Sequence, residues 1–112
     1  MKYLLLQISK CDHKSVINAI GVNMSIIEKE EVYSRTRFEG GVLFDDIQYF
    51  DIVASIEADD LNQAFEYGQN PNRNDSVTVI NPTHSVSVGD VLIDETGTIF
   101  CVEDIGFSKI AP

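Results

Sequence analysis

The fold is read from one stretch, Phe50-Asp51-Ile52-Val53-Ala54-Ser55-Ile56-Glu57-Ala58-Asp59-Asp60-Leu61-Asn62-Gln63-Ala64-Phe65-Glu66-Tyr67-Gly68. Phe50, Ile52, Ala54 and Ile56 alternate with Asp51, Val53, Ser55 and Glu57, the two-residue period of a half-buried strand. Asp60 then stands where a carboxylate accepts the free amide hydrogens of a first helical turn. Asp60-x-x-Gln63 has the form of a capping box, in which the glutamine reaches back toward the cap. Leu61, Ala64 and Phe65 fall on one face of a helix over about 61–67, and Gly68 is expected just past its end as a stop.

Upstream, Lys2 to Ile8 carries apolar residues on both faces, with Tyr3, Leu5 and Gln7 on one and Leu4, Leu6 and Ile8 on the other. That pattern predicts a central strand rather than an edge. Asp12 is placed to cap a short helix over 13–20, with Gly21 at its stop. Ile26–Tyr33, with Glu28-Lys29-Glu30-Glu31 at its centre, reads as a weak strand that Arg35–Phe38 continues before a turn at Gly40-Gly41. Downstream, Gln69–Ser76 is a polar and mobile loop, and Val77–Ile80 is a short strand. Val91–Ile93 and Ile99–Glu103 form a hairpin about Asp94–Thr98, with Gly97 supplying a positive φ, and Ile105–Ile110 is a last apolar segment. The prediction is a single α+β domain over 1–112, a mainly antiparallel sheet with one or two short helices packed on one face.

Composition agrees with one domain. The 112 residues are 44% hydrophobic, enough apolar surface to offset the entropy of ordering. No apolar run approaches the roughly 18–20 residues of a membrane span, and Gln7, Ser9 and Lys10 interrupt the opening Leu run before a signal h-region forms. Two cysteines make no disulfide framework; Cys101 lies in the apolar string Ile99-Phe100-Cys101-Val102, and Cys11 among polar residues. A reducing cytoplasm suits both. The formal net charge is −10, unevenly spread. Residues 1–37 hold six basic and four acidic side chains, a mildly basic front segment, whereas residues 38–108 hold fourteen acidic side chains and the single base Arg73. Direct binding to a nucleic-acid backbone is therefore not expected.

Three motifs in order, over roughly half the chain, carry a resemblance: Ala58–Gly68, then His84-Ser85-Val86-Ser87-Val88-Gly89-Asp90-Val91-Leu92, then Ile105-Gly106-Phe107-Ser108-Lys109-Ile110. From Asp51 onward, over about 50–110, the chain resembles the YodL-like family of small proteins from bacteriophages and integrative mobile elements. The resemblance implies a phage or mobile-element origin and life inside a bacterial host. It implies no enzymatic activity, the family having no assigned catalytic residues. Residues 1–40 lie outside it. The motifs also have a physical reading: Val86 and Val88 point into the core, Gly89-Asp90 makes the turn into a strand, and Gly106 bends the chain, or lets backbone approach, before the last strand.

Candidate chemistry is sparse. Cys11-x-His13 offers two metal ligands at short spacing, but a structural zinc site needs four. A Cys–His nucleophilic pair would have to join Cys11 or Cys101 to His13 or His84, with an orienting group that nothing marks. His84, after Pro82-Thr83, reads as a surface-loop histidine. The pairs Asp45-Asp46, Asp59-Asp60, Asp94-Glu95 and Glu103-Asp104 suggest cation binding or acid–base work, yet adjacent strand residues face opposite ways. Capping accounts for Asp59-Asp60 and the hairpin for Asp94-Glu95. No catalytic, cofactor-binding or metal-binding residue is assigned, and no cofactor is expected. The reading is a non-enzymatic accessory protein that binds a host or phage protein in the bacterial cytoplasm, with no membrane association and the oligomeric state left open. The alternatives are an acidic nucleic-acid mimic inhibiting a host defence enzyme, which needs most of the fourteen acids on one face, and a small-ligand or nucleotide-binding domain. The polar Gln69–Asp75 loop and the front segment around Lys29, Arg35 and Arg37 are the places expected to bind.

Overall fold

The computed structural model describes residues 1–8, 31–36 and 41–110. The expected helix over 13–20 lies outside these residues, as do Cys11, His13, Lys29 and Arg37. Six strands form one antiparallel sheet: β1 (Lys2–Gln7), β2 (Asp51–Glu57), β3 (Val77–Val79), β4 (Val91–Ile93), β5 (Ile99–Val102) and β6 (Phe107–Ile110). Their order is β3-β2-β1-β4-β5-β6, so β1 is central, as its two apolar faces predict. One α-helix, α1 (Leu61–Gly68), follows β2, and 3₁₀ turns occupy Phe44–Tyr49 and Pro71–Arg73. The α+β assignment with a mainly antiparallel sheet stands.

Both faces of the sheet are packed. Beneath α1, and packed with its Ala64, lie Tyr3, Leu5, Ala54, Ile56, Leu92 and Val102, with the Phe65 and Phe107 rings edge to face at 6.1 Å between centroids. On the other face Leu6, Ile8, Phe50, Val91, Ile99, Cys101 and Ile110 pack with Val32 and Val42. Leu5, Ile56 and Leu92 are wholly buried, and each such side chain contributes about 1.5–3 kcal/mol relative to exposure.

The alternation in β2 breaks at one residue. Leu5 pairs with Ala54 but Leu6 pairs with Ile52, so Val53 is an extra residue, a β-bulge. Val53 and Ala54 join the core under α1, whereas Phe50 joins the opposite core and Ile52 is 44% exposed. The expectation that Phe50, Ile52, Ala54 and Ile56 share a face is thereby corrected. Val53 turns its carbonyl to the next segment, accepting from the Ile80 amide (2.8 Å), the Asn81 amide (3.1 Å) and Thr83 Oγ1 (3.0 Å).

Capping of α1 follows the motif, with a shift. Asp60 Oδ1 accepts from the Gln63 amide at 2.8 Å, while Gln63 Oε1 accepts from the amide of Asp59, one residue before the cap, at 2.7 Å. Gly68 is the last helical residue and not a left-handed stop. It is small because Val86 sits against it: a Cβ there would collide with Val86 Cγ2. Other departures are local. Residues 31–36 are helical, not extended, with buried Val32 and Thr36 turned to the core and Thr36 Oγ1 bonded to the Val32 carbonyl. Tertiary burial of that face outweighs the strand preference of the β-branched residues. Val88 is half-buried. Gly97 and Gly106 have the positive φ expected of hairpin turns, and the space about Gly106 is open, so it serves a bend and not a close approach. Ile105 is 95% exposed in that bend, and β6 starts only at Phe107.

Candidate functional site

A concave surface lies where β1 ends, beside the Val53 bulge. Gln7 is the last residue of β1 and is only 3% exposed, so its amide must find partners within the protein. It finds them on the segment before β4. Gln7 Nε2 donates to the His84 carbonyl (2.8 Å) and to Asp90 Oδ2 (3.1 Å), and Gln7 Oε1 accepts from the His84 amide (3.2 Å). The side chain thus pairs with the His84 backbone as a neighbouring strand would. Asp90, wholly buried, also accepts from the Ser87 amide at 3.0 Å through the same oxygen, which closes the turn at Gly89 (φ 90°).

These contacts place a hydrogen on His84 Nδ1. Both Gln7 Nε2 hydrogens are spent on His84 O and Asp90, although the ring Nδ1 stands 3.2 Å from that nitrogen. Nδ1 lies 2.8 Å from the Ser85 carbonyl, an acceptor, so Nδ1 carries the proton and donates it there.

His84 divides two hollows. One, of about 360 Å³, is lined by Gln7, Ile8, Asp51, Val53, Asn81 and Pro82; the other, of about 350 Å³, by Asn70, Asn72, Arg73, Thr83 and Ser85 among others. The walls of the second are braced together. Ser85 Oγ donates to the Gln69 carbonyl (2.6 Å), Gln69 Nε2 donates to the Val86 carbonyl (3.0 Å), and the Val86 amide donates to the Gly68 carbonyl (3.0 Å). The Gln69–Asp75 loop, singled out by its polarity, forms one of these walls and contains a 3₁₀ turn anchored by buried Pro71.

The other candidates are scattered. Arg35 is not offered to a partner: its Nη2 donates to Asp46 Oδ1 at 2.6 Å, and Asp46 Oδ2 accepts from the Leu43 amide at 2.8 Å. Asp45 beside it is exposed, so that pair is split between core and solvent. Asp94 caps its hairpin, accepting from the Thr96 and Thr98 amides and from Thr96 Oγ1, and the Thr96 hydroxyl is the first cause holding its carboxyl below the ordinary range. Glu103 accepts from Ser108 Oγ at 2.6 Å. Cys101 is wholly buried, and burial pushes its thiol up to about 11, so it is protonated at neutral pH and is no nucleophile. Among the described residues no group of three or more His, Cys, Asp or Glu could hold a metal ion.

Charge gathers at the other end of β1. Glu57 hydrogen-bonds the Met1 amine (3.0 Å) and is the first cause raising its pKa, with Glu95 and Asp59 adding to it. Glu95 also accepts from the Lys2 amide at 2.7 Å. Among the described residues no helix is long and apolar enough to cross a membrane. The sequence places Gln7 on the Tyr3 and Leu5 face of β1 and Asp90 in the turn before β4, but not their pairing, although an isolated glutamine closing an apolar strand signals a buried amide needing partners. Comparisons with protein-family models, with curated proteins and with solved structures find no match for this chain.

Proposed function

We propose that this is a non-enzymatic phage or mobile-element accessory protein that works in the bacterial cytoplasm by binding a host or phage protein. One observation carries the reading. Leu43 and Phe44 are adjacent large apolar side chains, 63% and 54% exposed, on the turn that buried Asp46 holds in place. Asp46 fixes the Leu43 amide and is itself fixed by Arg35, so the two side chains are presented on a braced support, and a hollow lined by Phe44 and Ile47 lies beside them. A preordered apolar pair loses little conformational freedom on docking, which is how a small surface gains affinity. The lack of enzymatic activity is supported by the separate structural uses of Asp46, Asp60, Asp94 and Glu103 and by the sealed Cys101 thiol.

The test is capture from host lysate with the wild-type chain and with the double variant Leu43→Ser/Phe44→Ser, followed by binding of the purified partner to each. A partner that binds the wild type and is lost by the variant, at unchanged unfolding midpoint, supports the reading. Equal retention by both, or no partner at all, removes it.

A further inference from the structure

The hollow on the Arg73 side of His84 departs from the charge of the rest of the body. Arg73 is the only Lys or Arg between residues 38 and 108, where fourteen acidic side chains lie. It nevertheless forms no ion pair with a described residue. It stands on the Pro71–Arg73 turn, whose proline is buried and whose Arg73 amide donates to the Asn70 carbonyl at 3.1 Å. The same hollow is lined by His84, Asn70, Asn72, Thr83 and Ser85, and no lining residue is a carboxylate. A guanidinium and carboxamide N–H groups on braced walls are a donor set for a phosphate or carboxylate.

His84 also borders the second hollow, where Ile8, Val53 and Pro82 give an apolar lining and Gln7, Asn81 and Asp51 give polar edges. Together the two hollows have the size and mixed character of a small-molecule site. From this geometry we infer that the cleft across His84 binds a phosphate monoester with a planar, largely apolar body, of mononucleotide size. The phosphate meets the Arg73 guanidinium and the carboxamide N–H groups of Asn70 and Asn72. The body passes over His84 into the hollow beside Pro82. This site is separate from the Leu43–Phe44 surface and does not depend on it.

The probes are adenosine monophosphate, adenosine and inorganic phosphate, each titrated into the full chain and followed by amide chemical-shift perturbation. Adenosine monophosphate is expected to shift the amides of Asn72, Arg73, His84, Ser85 and Asn81, and to bind about tenfold or more tightly than adenosine. Inorganic phosphate is expected to shift the Arg73 side alone. Arg73→Gln should weaken the monophosphate about tenfold at unchanged unfolding midpoint while leaving adenosine unaffected, with Arg73→Lys in between. Leu43→Ser/Phe44→Ser should bind it as the wild type does. Equal affinity for adenosine and its monophosphate, unchanged binding by Arg73→Gln, or no shift at these amides with any probe overturns the inference.

Discussion

Gly68 and Val86 are joined twice: the Val86 amide donates to the Gly68 carbonyl at 3.0 Å, and Val86 Cγ2 fills the space that a methyl group on Gly68 would need. This contact seats the end of α1 against the segment carrying His84. A stiff, buried valine has little room to give way. Gly68→Ala is therefore expected to destabilise by about 1–3 kcal/mol, although alanine is intrinsically the better helix former by roughly 1 kcal/mol. Val86→Ala should relieve the collision, so a double-mutant cycle by urea unfolding should give a favourable coupling of at least about 0.5 kcal/mol. Strict additivity would refute the contact.

Asp46 is buried and serves both Arg35 and the Leu43 amide. Asp46→Ala strands both donors and should cost about 2–3 kcal/mol. The cost falls at or below the low end for a broken buried pair because Arg35, about a third exposed, can be rehydrated. Asp46→Asn keeps an acceptor for Leu43 and should cost about half as much. Urea midpoints for the two variants check this, and equal losses would contradict the division of roles.

Gln7 stands 3.1 Å from the buried Asp90 carboxylate as a donor. Gln7→Glu would set two carboxyls against each other, raising the folded-state pKa of the pair above that of the unfolded chain. A proton shared between them restores the bond, so the variant should be least impaired below the unfolded carboxyl range, near pH 4. The loss then grows as pH rises through the raised value, reaching about 3 kcal/mol or more at neutral pH. A stability deficit that does not change between pH 4 and pH 8 would show that the two side chains are not in contact.

The Cys101 thiol is held at about 11 by burial, against an ordinary value of 9.0. Below pH 9 both folded and unfolded chains keep the proton, and the contribution is whole. Between pH 9 and 11 only the unfolded chain ionises, and stability drains away, on the order of 2 kcal/mol by pH 10.5. Cys101→Ala should show a shallower decline over that interval in urea midpoints. The same burial should keep the native thiol unreactive toward a disulfide reagent at pH 8 until the protein is unfolded.

The strands were legible where apolar spacing was regular. β1, β4 and β5 appear near their expected places, and the Asp60 cap was readable from four residues. The bulge was not, because Val53 and Ile52 are chemically alike and only the register with Leu5 and Leu6 decides which turns inward. The helical 31–36 segment was misread because Val32, Tyr33 and Thr36 favour strands in isolation, and their burial depends on packing partners far along the chain. The cleft was half readable. The polar excess of Gln69–Asp75 marked one wall, but the pairing of Gln7 with His84 spans 77 positions and leaves no local signature.

Because β1 sits between β2 and β4, its Leu4 must wait for Ile93, 89 positions later, before its second edge is paired. On the ribosome, β1, β2 and α1 can assemble well before that partner has been synthesised. Until then the nascent half-sheet presents an apolar strand with unpaired backbone groups, the kind of edge that recruits chaperones or another chain. The central position that makes β1 the keystone of the finished sheet thus also gives it the longest wait for its second edge to be covered, and translation speed through residue 93 sets how long that hazard lasts.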